Sequence, residues 1–174
     1  IAVPRYYSLA RREIDILITV MKPTAGNVVV RKLASYRFGL FAAEKYLDGR
    51  SPVRSREDLR EHRTIGYIDD LIFSPELDYL PQVAKNITPA IRSTSILAQI
   101  NGTIAGAGAC VIPCFLAEGN PLLTRVLPDE VRLFRMIWMI VQSDMRTHAL
   151  VHVPKHHVFD LVRKKERRFF PKPN

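Results

Sequence analysis

The sequence predicts a mixed α/β fold, and three observations carry that prediction. Apolar, β-branched runs of strand length recur along the chain, the first being Ile14-Asp15-Ile16-Leu17-Ile18-Thr19-Val20. A strand at Ala90-Ile91-Arg92 leads through Ser93-Thr94-Ser95 into a helix that stops at Gly106 and Gly108, and Ala109-Cys110-Val111-Ile112 returns as a second strand. Such a crossover is right-handed and parallel in nearly all proteins. The apolar runs are nearly continuous rather than alternating, which suits a sheet covered on both faces.

Taken in order, residues 8–13 read as the last turns of a polar helix, followed by the strand at 14–20 and the punctuation Lys22-Pro23-Thr24-Ala25-Gly26-Asn27. Val28-Val29-Val30 with Leu33 reads as a second strand, and residues 36–42 as a third after a bend. The uninterrupted run of that third strand suits a segment passing from one lobe to another. Residues 43–47 predict a short helix closed by Asp48-Gly49-Arg50. Ser55-Arg56-Glu57-Asp58 predicts the capped start of the next, with the Ser55 oxygen taking free amide protons. Thr64-Ile65-Gly66-Tyr67 is a short strand entering a polar loop, and residues 73–89, interrupted by Pro75 and Pro81, read as loop with one helical turn. In the helix after Ser95, the residues Ile96, Leu97, Ile100 and Ile104 recur on one face. Pro113 stops the returning strand, residues 114–118 form a brief helix, residues 131–141 a long apolar strand, and residues 145–167 a closing helix in which Pro154 marks a kink or the true start.

The bulk composition is that of a globular domain: 47% apolar and 25% charged residues, on a chain of 174 that can bury a core without disulfides or metal. No apolar run approaches the roughly 20 residues needed to cross a bilayer. Cys110 and Cys114 are too few and too close for a secreted disulfide framework, so a reducing, cytoplasmic setting is expected. The chain opens at Ile1 without a secretory pattern and reads as an excerpt of something longer. Twenty-six basic against seventeen acidic residues give a formal charge of +9. The cations are spread along the chain, and the dense run Arg163-Lys164-Lys165-Glu166-Arg167-Arg168 is that of a solvated helix end rather than a nucleic-acid face.

Several stretches, taken in order, resemble the effector-binding domain of LysR-type transcription regulators. They are Arg11-Arg12-Glu13-Ile14-Asp15-Ile16-Leu17-Ile18, Phe38-Gly39-Leu40-Phe41-Ala42-Ala43 with Tyr46-Leu47, Asp58-Leu59 with His62-Arg63, Ile91-Arg92-Ser93 with Ser95, and Gly106-Ala107-Gly108 leading to Val111-Ile112-Pro113. No one of these is specific, but their sequence is, and it covers residues 8 to 165. The resemblance implies two Rossmann-like lobes of the periplasmic-binding-protein kind with a small effector in the cleft between them. Residues 43–125 would form lobe II, residues 1–42 with 126–174 lobe I, and the first lobe would be incomplete at its N-terminus. The helix-turn-helix and linker helix of a complete member are absent before Ser8, so DNA binding belongs to the parent protein. The implied partners are a small-molecule effector, further copies in a homodimer or homotetramer, and DNA through that missing module, with no membrane and no cofactor. A solute-binding protein for transport, or an enzyme on the same scaffold, are the alternatives.

Candidate contacts follow from both readings. Ser93, Thr94 and Ser95 open a helix, where hydroxyls and unpaired amides hold a carboxylate or phosphate; one of them must in any case cap the helix, and the two roles coexist. Thr24 and Tyr67 follow predicted strands, and ligands of open α/β sheets gather at strand carboxyl ends. Pro113 and Phe115 sit where the returning strand meets its short helix, at the cleft side in the resembling family. No residue is assigned to catalysis or metal. Cys114 on its strand-to-helix turn lacks the Gly-x-Ser-x-Gly pattern of a nucleophile elbow, and Cys110 and Cys114 lack a second zinc-ligand pair. His148, His152 and His156 are spaced to share a helix face but have no accompanying acid. Gly102-x-x-x-Gly106-x-Gly108 closes a helix instead of opening one, the reverse of a dinucleotide loop.

Overall fold

The computed structural model describes residues 15–23, 26–72, 75–143 and 149–164. The chain falls into two compact units, one built from Arg37–Leu133 and the other from the segments that precede and follow it.

Strand β2, Val28–Ala42, contributes to both. The sequence reading divides this stretch into two strands, but nothing between Arg31 and Ser35 is a turn former, so the extended backbone runs on unbroken for 15 residues. Its burial changes along its length: Arg31 and Lys32 are exposed, whereas every residue from Phe38 to Ala42 is buried.

In the larger unit β2 leads into helix α1, Glu44–Leu47, which Gly49 closes with a φ of +70°. A 3₁₀ turn follows at Glu57–Glu61. Its predicted start is corrected: the N-cap is Arg56, without a side-chain cap hydrogen bond, and the Asp58 carboxylate reaches back to accept the amides of Arg54 and Ser55, each at 2.8 Å. A carboxylate accepts two amide protons where a hydroxyl would usually take one. Strand β3, Thr64–Gly66, precedes a 3₁₀ turn at Asp69–Leu71, a second at Pro75–Leu77, and helix α2, Leu80–Val83. Strand β4, Ile91–Arg92, helix α3, Ile96–Ile104, and strand β5, Ala109–Pro113, form the crossover; helix α4, Cys114–Ala117, and strand β6, Thr124–Val126, end the unit.

The strand order here is β4-β3-β5-β2, with β6 on the far side of β2. β3 runs parallel to both β4 and β5, so the crossover expected from Ala90 to Ile112 is parallel, with β3 inserted between its two strands. β2 is antiparallel to β5, Phe38 facing Pro113 and Phe41 facing Cys110. Phe41, Ile65, Ile100, Cys110, Ile112, Cys114 and Ala117 form one core, with Ile96, Ile104 and Ala107 packed on it. Leu97 departs from the expected apolar stripe and is 63% exposed. At about 100° of turn per residue, Leu97 lies roughly 120–160° around the helix from Gln99 and Thr103, so the face centred on these two and Ile100 turns away from it. Gln99 and Thr103 occupy that face and are fully buried.

In the smaller unit β1, Ile16–Thr19, pairs antiparallel with β7, Leu133–Gln142, from Ile16 opposite Val141 to Thr19 opposite Trp138. Helix α5, Ala149–Lys164, contains Pro154 in its interior, where the ring removes one backbone hydrogen bond. Val158 and Phe159 of α5 pack with Ile16 and Leu33 against Met139 and Val141. Phe134 and Met136 alternate with these and are 54% and 45% exposed. The even-numbered face is therefore open at the start of β7, whereas Ile140, on the same face further along, is 2% exposed, and the odd-numbered Met139 and Val141 pack against α5.

Gly108 marks a close approach in which a Cβ would sit 2.6 Å from the carbonyl oxygen of Arg63. Backbone cannot yield as a flexible side chain does. Gly108→Ala is expected to destabilise the larger unit by about 2 kcal/mol, read from urea denaturation.

Candidate functional site

Parallel β3, β4 and β5 end on the same side, and each hands the chain to a turn carrying polar or aromatic side chains. After β3 comes Tyr67, after β4 come Ser93, Thr94 and Ser95, and β5 ends at Pro113 with Phe115 in the helix that follows. Six of the seven sequence-predicted contacts thus stand at one end of the sheet. Thr24 lies outside the described residues.

The turn after β4 is tightly held. The Ser93 amide donates to the Gly66 carbonyl at 3.0 Å, which fixes the turn to the end of β3. The Ser95 amide donates to the Ser93 hydroxyl at 3.2 Å, and the Ser95 hydroxyl accepts from the Ala98 amide at 3.4 Å, so Ser95 is the N-cap of α3. The cap satisfies one of the four free amides at the helix start. Ser93, Thr94 and Ser95 remain half-buried, and α3 directs its positive end toward them.

Beneath the turn lies a polar knot that the sequence reading missed. Gln99 is fully buried, and its side-chain amide donates to the Ser93 carbonyl at 2.7 Å. Its oxygen accepts from the Tyr79 hydroxyl at 3.0 Å and from the Cys110 thiol at 3.5 Å. The Tyr79 ring meets Tyr67 edge-on with centroids 5.7 Å apart and Phe38 at 5.5 Å. A polar residue three positions after Ile96, within the buried stripe, is the signal that would have revealed it. Tyr67, Asp69, Tyr79, Ile87, Thr88 and Pro89 line a small cavity of about 90 Å³ beside this knot. Arg92 and Asp69, both exposed, pair at 3.5 Å on its rim, where solvent leaves such a contact little weight.

The electrostatics disfavour ionised nucleophiles here. Burial pushes the Cys110 thiol up to about 12, and burial likewise raises Cys114, against the opposing pull of the Arg37 guanidinium. Tyr67 is raised by burial as well. Both cysteines are buried free thiols. His156 is exposed, His148 lies outside the described residues, and no group of three or more His, Cys, Asp and Glu among the described residues is placed to hold a metal. Gly106, with a φ of +81°, closes α3, as its position at a helix end predicts.

Residues 6–158 match the family model described as LysR substrate binding domain. The chain belongs to that family. This LysR substrate-binding domain also resembles solved structures. One is the CrgA regulatory domain, a LysR-type transcriptional regulator from Neisseria meningitidis, with a TM-score of 0.75 and 18% identity over 87% of this chain and 77% of that one. A second is the full-length Vibrio cholerae virulence activator AphB, with a TM-score of 0.71 and 18% identity over 86% of this chain and 52% of that one. A third is a Corynebacterium glutamicum OxyR mutant, with a TM-score of 0.63 and 15% identity over 91% of this chain and 51% of that one. At such identities the likeness establishes the fold, which is the two-lobed regulatory-domain architecture. The LysR domain spans about half the length of the longer regulators it matches. No curated protein sequence matches it. Among the described residues no helix is long and apolar enough to cross a membrane.

Two outcomes are expected from this geometry. Gln99→Leu removes the hydrogen bonds that the Ser93 carbonyl and the Tyr79 hydroxyl make to this amide and should cost about 1–3 kcal/mol of stability, more than the ~0.5–1 kcal/mol of Ser95→Ala, whose bond is long; urea midpoints give the order. Because the folded-state Cys110 value lies above its ordinary 9.0, the folded protein holds this proton longer than the unfolded chain. Its contribution to stability is complete below pH 9 and should fall by at most about 1.4 kcal/mol per pH unit above it. Cys110→Ala should flatten that part of the stability profile.

Proposed function

We propose that this domain is the sensor of a LysR-type regulator and binds a small anionic effector at the carboxyl ends of β3, β4 and β5. Tyr67, Ser93, Thr94, Ser95, Pro113 and Phe115 supply the contacts, with Thr24 joining them. The observation that carries this reading is the hydroxyl-rich start of α3, held against the end of β3 by the Ser93 amide. Half-buried hydroxyls at a helix N-terminus suit a carboxylate, and Tyr67 and Phe115 offer apolar surface for the rest of the molecule.

In this reading residues 43–125 are lobe II, and residues 1–42 with 126–174 lobe I. The effector acts by differential affinity for two arrangements of the parent protein, a homodimer or homotetramer whose DNA contacts reside in a helix-turn-helix module. Its place is the cytoplasm, with the DNA it controls. We read the domain as a sensor rather than an enzyme, since both cysteines are buried free thiols whose ionisation burial opposes.

The test is a thermal-shift screen of the purified domain against small carboxylates, aromatic acids, amino acids and phosphorylated metabolites. A true effector should stabilise the protein by about 2.7 kcal/mol at one hundred times its Kd, survive the incubation chemically intact, and bind about tenfold more weakly to Ser95→Ala. Turnover of the compound would overturn the sensor reading, and binding indifferent to both Ser95→Ala and Tyr67→Ala would overturn the contacts.

A further inference from the structure

On the α4 side of the larger unit, β2, β5 and β6 bring two arginines and one glutamate around Cys114. Arg125 of β6 lies opposite Phe41, and Gly39 of β2 lies opposite Ile112 of β5. By the two-residue period of a strand, Arg37, Gly39 and Phe41 share a face with Arg125, Ile112 and the Cys114 that follows. Gly39 makes the cluster possible. A Cβ there would stand 3.0 Å from Arg125 Nε and 3.5 Å from Cys114 Sγ, so the missing side chain leaves room for the guanidinium to reach across the strand.

The charges do not close. Arg37 gives Nη2 to Glu118 Oε1 at 3.2 Å, and its Nε is buried without a partner. Arg125 has Nε and Nη2 both buried without a partner. Those two atoms are the side-on edge of a guanidinium, which presents two parallel N–H bonds and matches the two oxygens of a carboxylate. Leaving such donors without an acceptor is costly. Glu118 supplies one carboxylate for two cations, and its side chain is one-third exposed against 11% for Arg37.

We propose that Arg125 and Arg37 form a binding site for a small carboxylate or other planar oxyanion, in which the side-on edge of Arg125 takes two oxygens and Glu118 is the internal competitor. The Arg125 edge is covered by protein, so a small anion reaches the cluster as the exposed Glu118 carboxylate releases Arg37. The site is distinct from the Ser93–Ser95 turn and does not depend on it.

The experiment measures the melting temperature of the domain against oxalate, with sodium chloride at equal ionic strength as control. Wild type should show a saturable rise with oxalate and none with chloride. Glu118→Gln removes the competitor without removing bulk and should lower the half-saturating concentration at least threefold, a change of sign that mere structural support would not produce. Arg125→Met should abolish saturation. Arg125→Lys, which keeps the charge but lacks the edge and serves if the methionine variant does not fold, should raise half-saturation at least tenfold. Equal responses to oxalate and chloride, half-saturation unmoved by Glu118→Gln, or saturation intact in Arg125→Lys would each overturn the site. Loss of oxalate binding in Ser95→Ala with Arg125→Lys unaffected would place the anion at the α3 turn, overturning this proposal while leaving the effector reading in place.

Discussion

The buried amide of Gln99 is the contact on which the arrangement of the larger unit depends. It joins the carbonyl of Ser93, the hydroxyl of Tyr79 and the thiol of Cys110, three groups from a turn, an irregular segment and a strand. The amide is the partner these three groups share, and a buried polar group that loses its partner costs about a kilocalorie or more. Thr103, also buried, returns its hydroxyl to the Gln99 carbonyl at 2.9 Å. The half-buried hydroxyls at the start of α3 are thus placed from below, by a residue that need touch no ligand itself. Tyr67 is positioned by the same knot, through its edge contact with Tyr79.

The basic balance of the chain serves structure more than it advertises a partner. Arg56 reaches across to the Gln82 carbonyl at 3.2 Å, and Arg132 reaches the Pro128 carbonyl at the same distance. A guanidinium supplies up to five donors in a planar fork, which suits it to carbonyls at the ends of short, irregular connections. With 3₁₀ turns at Glu57–Glu61, Asp69–Leu71 and Pro75–Leu77, this unit has many such ends. Part of the formal charge of +9 is therefore engaged by the domain's own backbone carbonyls.

The two units obtain their cores differently. In the larger one, parallel β3, β4 and β5 are backed by α3 and α4, and a continuous apolar set from Phe41 to Ala117 fills the interior. In the smaller one, the first part of β7 alternates, with Phe134 and Met136 outward, before the continuously buried Met139, Ile140 and Val141, of which Met139 and Val141 pack against α5. Burial of the first kind yields near-continuous apolar runs, and the second yields a period of two, yet both read alike in a stretch as apolar as residues 133–142.

Local sequence by itself determined the mixed α/β class, the crossover from Ile91 to Pro113, the Ser95 cap, the glycine stop after α3 and the order of motifs that marks the LysR family. Each of these is settled within a few residues by backbone freedom, capping or periodicity, so no distant partner is needed to read them. Tertiary structure alone decided that β2 is one strand and that the turn after Ser55 starts at Arg56 with Asp58 reaching back to two amides. It also decided that β6 exists, that Leu97 faces solvent while Gln99 is buried, and that Arg125 stands opposite Phe41. These depend on what lies across the sheet: the three residues of β6 are held in place by pairing with Leu40, Phe41 and Ala42, and a buried glutamine is tolerable only where Ser93, Tyr79 and Cys110 converge on it. The physical reason is that propensity acts along the chain, whereas satisfaction of buried polar groups and pairing of short strands are settled between residues far apart in it.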